Sequence, residues 1–219
     1  MVNPPNIGYL ISPATSQPYN WICHLKITMK SRAVYGGSGF WVNLPGSDVK
    51  CILTAGHCLF DKDGYAEVVE VKFPGQQAFW ASGSELHVSK KWTLNSTELD
   101  DFGAICIKDV TKSQGGFGYS TIVTNQQLLT TDATMFGYPV DKPYQTMWGS
   151  GGCVCEVTPP QFMYAFCADR GQSGSPVYIW HNGYVSHQFI TPLYYSLSLF
   201  SSSNASRVNL VDGCWSPPL

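Results

Sequence analysis

Short apolar runs rich in Val, Ile, Tyr, Phe and Trp recur along the chain between clusters of Gly, Pro, Asn and Asp. That is the pattern of many short strands joined by turns. Ten such runs stand out: WICHLKITM, GFWVNL, CILTA, EVVEVKF, FGAICI, TDATMFGY, CVCEV, FMYAFCA, PVYIW and YVSHQFI. A 3.6-residue period is almost absent, so helices contribute little. The hairpin-length gaps predict an all-β protein, either a sandwich or a pair of barrels. The polar, glycine-rich stretch from Thr111 to Ser120 lies near the midpoint and predicts a boundary between two units, 1–112 and 113–219. The second unit ends in an irregular tail that Cys214 can pin to the body.

Composition narrows the function classes. Of 219 residues, 44% are apolar and 13% charged, which is globular and not disordered. Thirteen basic against fifteen acidic residues leave a net charge of −2, too little positive charge for a nucleic-acid partner. No run approaches the length of a membrane span, and the first 25 residues lack the apolar core of a signal peptide. Eight cysteines, with glycosylation acceptor patterns at Asn95-Ser96-Thr97 and Asn204-Ala205-Ser206, favour a secreted protein whose signal is absent from this chain. A cytoplasmic protein is the alternative.

Three segments carry candidate chemistry. RGQSGSPVYIW places Ser173 on a glycine-bounded turn ahead of an apolar strand. Ordinary turn chemistry would use the same residues, but so would a nucleophile whose flanking backbone N–H groups hold a developing negative charge. A serine hydroxyl needs a base within reach, and the base needs an anion to fix its tautomer. CILTAGHCLF sets His57 at a strand end beside small residues, where it is either that base or a core histidine. LDDFGAICI supplies Asp100 and Asp101 at the head of another strand, as an orienting acid or as turn residues. The order His, Asp, Ser, with base and acid in one half and nucleophile in the other, raises all three.

ILTAGHC, DDFGAI and GQSGSPVY resemble the signature blocks of chymotrypsin-fold serine endopeptidases. FGYPVDKPYQTMWGSGG, from Phe136 to Gly152, and GGSGFWV, from Gly36 to Val42, are similar to segments of the bacterial glutamyl endopeptidases of staphylococcal type. The resemblance implies two six-stranded antiparallel Greek-key barrels with the active site in the cleft between them. His57 and Asp101 would then lie on the first barrel and Ser173 on the second. It makes His57 the general base, Asp101 its orienting carboxylate and Ser173 the nucleophile. Asp101 is preferred to Asp100 because it directly precedes the Phe-Gly-Ala-Ile run. The N–H groups of Gly171 and Ser173 would form the oxyanion hole.

The implied activity is hydrolysis of peptide bonds in a polypeptide substrate through an acyl-enzyme, by a monomer without metal or cofactor. A preference for cleavage after glutamate is the expected specificity, read by a pocket that includes Ala168, Asp169, Arg170 and His187. Ala168 stands where the family carries threonine, and Asp169 would repel an acidic side chain, whereas Arg170 would attract one. Val2 stands about where the family's mature chain begins, which would make Met1 an addition. Cys58 follows the histidine as in animal enzymes of this fold, where its bridge partner falls near Gly36. Cys51 is no substitute, since seven extended residues span roughly 20 Å. Cys153 and Cys167 can face each other across a TPPQ hairpin, and a metal site of Cys153, Cys155 and Cys167 is the less favoured use of those thiols. The alternatives to a secreted active protease are a catalytically silent homologue that binds peptides or partners, and an intracellular processing protease.

Overall fold

The computed structural model describes residues 8–43, 49–107, 115–118, 125–158, 161–164, 168–179 and 206–209. The strands, in chain order, are β1 (Tyr9–Ile11), β2 (Ile22–Thr28), β3 (Val34–Val42), β4 (Lys50–Thr54), β5 (Phe60–Asp61), β6 (Gly64–Tyr65), β7 (Val68–Lys72), β8 (Phe79–Ala81), β9 (Leu86–Val88) and β10 (Gly103–Ile107), followed by β11 (Asp132–Gly137), β12 (Met147–Thr158), β13 (Gln161–Tyr164), β14 (Val177–Ile179) and β15 (Ser206–Asn209). The α-helices are single turns or little more: α1 (Gly56–Leu59), α2 (Lys90–Asn95) and α3 (Asn125–Leu129).

The first sheet runs β8-β7-β2-β3-β4-β10-β9. Its two edge strands, β8 and β9, are separated in the chain only by Ser82 and the 3₁₀ turn Gly83–Glu85, so one bent segment holds both edges. Counted that way, the sheet is a closed barrel of six strands, which leaves no open edge. Alternation decides what faces inward. In β7, Val69 and Val71 are buried while Val68, Glu70 and Lys72 are half-buried. Across β2 they meet Ile27 and Leu25 in register, and Ile52 and Ile105 join the same core. On β3, Gly37 and Gly39 face inward. A Cβ at Gly39 would come within 2.8 Å of Ile52, so the barrel interior has no room for a side chain there.

The second sheet runs β14-β11-β12-β13-β15, and β1 pairs with β12, placing Tyr9 opposite Gly149. Its own core gathers Leu128, Ala133, Met135, Val154, Phe162, Tyr164 and Val177. Between the two sheets, Phe136, Tyr138, Met147 and Tyr178 join Trp21, Ile22, Phe40 and Phe117 in the main core. Tyr178 packs on both Phe117 and Phe136, with ring centroids 5.2 and 5.9 Å apart. This aromatic seam fixes one half against the other. The TPPQ hairpin closes as expected, with Thr158 paired to Gln161. YVSHQFI, Cys167 and Cys214 lie outside the described residues, as do most of Thr111 to Ser120.

Candidate active site

β4 delivers the histidine. It ends at Thr54, Ala55 stays extended, and the chain turns once through α1 with His57 in its first turn. A Cβ on Gly56 would meet Asp101 Oδ1 at 3.0 Å and Trp92 at 3.1 Å, so glycine here lets the acid approach the turn closely. The His57 N–H donates to Asp101 Oδ1 at 2.7 Å, and His57 Nδ1 lies 2.7 Å from Oδ2. One carboxylate thereby fixes both the backbone turn and the imidazole ring. The Asp101 side chain is 0% exposed, against 34% for His57, so the anion is shielded while the ring opens outward.

Asp101 closes the 3₁₀ turn Glu98–Asp100 immediately ahead of β10. Its neighbour Asp100 points elsewhere. There it accepts from Thr97 Oγ1 at 2.8 Å and faces Lys91 Nζ at 3.8 Å. Burial pulls the His57 pKa down, but the adjacent Cys58 sulfur and the Asp101 carboxylate together hold it well above the ordinary histidine value.

The serine comes from the loop between β13 and β14. Gly171 and Gly174 have φ of +88° and +82°, the left-handed region that favours glycine. Space forbids a side chain at Gly174 as well: a Cβ there would come within 2.2 Å of Ser38 O. The Arg170 carbonyl accepts from Val140 N–H at 2.8 Å, and the Ser173 carbonyl accepts from Ser38 N–H at 2.8 Å. Among the described residues, the N–H groups of Gly171 and Ser173 have no intramolecular acceptor.

His57, Ser173, Gly171, Asp169 and Arg170 line one cavity of about 450 Å³, which Tyr35 also lines. Ala168 packs instead against the second core. His187 lies outside the described residues. Among the described residues, no group of three or more His, Cys, Asp and Glu side chains is arranged to hold a metal ion.

Solved structures share this architecture. The protease Anisep of Arthrobacter nicotinovorans matches with a TM-score of 0.70 at 18% identity, covering 93% of each chain. A Glu endopeptidase in complex with MPD matches with a TM-score of 0.68 at 19% identity, covering 94% of this chain and 91% of that one. This is the chymotrypsin-type protease fold. In sequence, the chain is 30% identical over 176 residues to the glutamyl endopeptidase of Bacillus licheniformis, spanning 77% of this chain and 51% of that protein. It is also 30% identical over 176 residues to a Bacillus subtilis protein named extracellular metalloprotease, spanning 77% and 54%. The chain thus covers about half the length of the curated relatives it matches. No family model matches it.

Within this chymotrypsin-type fold, three local features surround His57 and the serine loop. Ser38 is wholly buried and clamps the serine loop: its Oγ donates to Gly171 O at 2.8 Å and accepts from Tyr138 N–H at 2.9 Å. Its own carbonyl accepts from Thr54 Oγ1 at 2.8 Å, tying the clamp to β4. Trp92, on α2, stands 6.4 Å from the His57 ring and donates its indole N–H to Phe60 O at 3.2 Å. Cys58 is buried beside His57, and the β3 position facing its sulfur is Gly37, one residue beyond the expected Gly36. No signal short of the strand register would have found Ser38, because its partners lie 100 and 133 residues away.

Proposed function

We propose that the chain is a secreted serine endopeptidase that cleaves polypeptides through an acyl-enzyme intermediate, with a preference for acidic side chains on the acyl side of the cut. One observation carries this reading: a buried carboxylate holds His57 Nδ1 at 2.7 Å, and the ring opens on the cavity that Ser173 lines. Ser173 Oγ attacks the substrate carbonyl while His57 Nε2 takes its proton, and Asp101 stabilises the imidazolium. The unengaged N–H groups of Gly171 and Ser173 receive the oxyanion, and each such donor typically lowers the barrier by roughly 3–4 kcal/mol. His57 then protonates the leaving amine, and water repeats the sequence to release the acid.

The division of labour follows the two halves, 1–112 supplying base and acid and 113–219 the nucleophile. Arg170, exposed on the cavity rim, supplies the positive charge for an acidic substrate side chain. The likeness to a glutamyl endopeptidase supports that preference, and secretion is supported by the word extracellular in the other relative's name.

Cleavage-site mapping on a diverse peptide library tests the reading, with Ser173→Ala and a chelator as parallel arms. Cuts after glutamate or aspartate that vanish in Ser173→Ala and survive the chelator are the expected result. Ser173-dependent cuts after other residues would discard the specificity alone. Ser173-independent cutting would discard the mechanism, and no cutting at all would leave a silent binding module.

A further inference from the structure

Cys51 and Cys106 stand directly opposite each other across β4 and β10, outside the groups used in the proposed reaction. Opposed residues of an antiparallel pair project to the same face with Cα atoms about 4.5–5.5 Å apart. A disulfide spans Cα separations of about 4.4–6.8 Å. Their alternating neighbours Ile52 and Ile105 point into the barrel core, so the two cysteines share the opposite face, packed with Val42 and Ala104. Cys51 is 0% exposed and Cys106 8%. Both are thiols in the structure.

Among the described residues, no other two cysteines stand opposite each other across paired strands. Cys58 faces a glycine, Cys23 sits in the main core, and Cys153 and Cys155 are exposed on a single strand. The two thiols act on each other, raising the pKa of Cys51 and drawing that of Cys106 below its usual value. The pair therefore has a nucleophilic member and a resolving one.

We propose that Cys51 and Cys106 close into a cross-strand disulfide when the chain meets a peroxide. The Cys106 thiolate attacks one peroxide oxygen; the O–O bond breaks, leaving a sulfenic acid and, after protonation, one water. The Cys51 sulfur then attacks that sulfenic sulfur; the S–S bond forms, the S–O bond breaks, and a second water leaves with the Cys51 proton. Two thiols are oxidised and one hydrogen peroxide is reduced to two waters. β4 runs on to His57, and β10 starts two residues after Asp101. The bond rivets the two strands that position this histidine–carboxylate pair.

The full chain carrying Cys153→Ser and Cys155→Ser is reduced, freed of reductant, exposed to hydrogen peroxide, then denatured, alkylated and digested for mass spectrometry. The expected product is a peptide pair linking Cys51 to Cys106, lighter than its two thiol forms by two hydrogens and lost on reduction. The Tm of the oxidised protein should rise by roughly 5–10 °C over the reduced form, and Cys106→Ala should abolish that difference. Full alkylation of both residues, a Cys106 sulfinic acid without the link, or bridging of either residue to another cysteine would overturn the proposal. None of these readouts requires protease activity, so failure here and failure of the proposed function are separable.

Discussion

Ser38→Ala isolates the clamp that holds the serine loop. The substitution removes one oxygen and no carbon, so packing in β3 is nearly unchanged. It takes away the hydroxyl that Gly171 O receives from and that Tyr138 N–H donates to, at 2.8 and 2.9 Å. Both groups are buried, and neither has another partner among the described residues. Orphaning a buried polar group costs about 1–3 kcal/mol, so the two together should cost about 2–5 kcal/mol. For a chain of this size that is a fall in Tm of roughly 5–15 °C.

Gly171 is also a proposed oxyanion donor, so loosening its carbonyl should misaim its N–H. We expect kcat on an acidic-site peptide to fall at least 10-fold with KM little changed, because the oxyanion exists only in the transition state. Thermal denaturation followed by circular dichroism, with steady-state kinetics at a temperature where both proteins are folded, reads the two effects separately. A Tm within 1–2 °C of the unaltered protein, or a loss confined to KM, would refute the clamp.

Asp101→Asn should lower kcat on the order of 10⁴-fold by leaving the imidazole without its anion. Because the carboxylate helps hold the His57 pKa above its ordinary value, the acid limb of the pH–rate profile should lie above that value in the unaltered protein and move to lower pH in the variant. A limb that moves upward would reverse the electrostatic assignment. Gly174→Ala combines a left-handed φ of +82° with a 2.2 Å approach to Ser38 O, and should yield insoluble or unfolded protein on expression. Arg170→Glu should reduce cleavage after acidic residues at least 10-fold while sparing the rate on neutral sites; equal losses on both would remove Arg170 from specificity.

What the sequence made legible is whatever a short window can hold. The Val-Glu-Val alternation of β7, the turn glycines around Ser173 and the acid heading β10 are each local, and each element formed where its pattern lay. The strands β8 and β9 escaped notice because three residues cannot display a period. β1 escaped for the same reason, and its pairing with β12 is a property of the folded chain. Two adjacent acids in LDDFG look alike in one dimension; the 3₁₀ turn sends Asp100 toward Thr97 and Asp101 toward His57. Ser38 and the Cys51–Cys106 pair depend on register, which a run of apolar letters does not state.

The alternation along β3 accounts for both jobs of that strand and leads to a last test. Gly37 and Gly39 face the barrel interior while Ser38 faces the second half, so a single strand packs one core and clamps the other unit's loop. A Cβ at Gly37 would lie 3.3 Å from Cys58 Sγ, close to bonded geometry for a bridge, and 3.0 Å from the movable end of Ile27. Gly37→Cys should therefore close a disulfide with Cys58 under oxidising conditions. The loop enclosed is about twenty residues, for which chain entropy predicts roughly 3 kcal/mol of stabilisation over the reduced variant. Peptide mapping and Tm before and after reduction read both. A variant that alkylates fully at both positions after oxidation would show that β3 and α1 are not packed as closely as the structure places them.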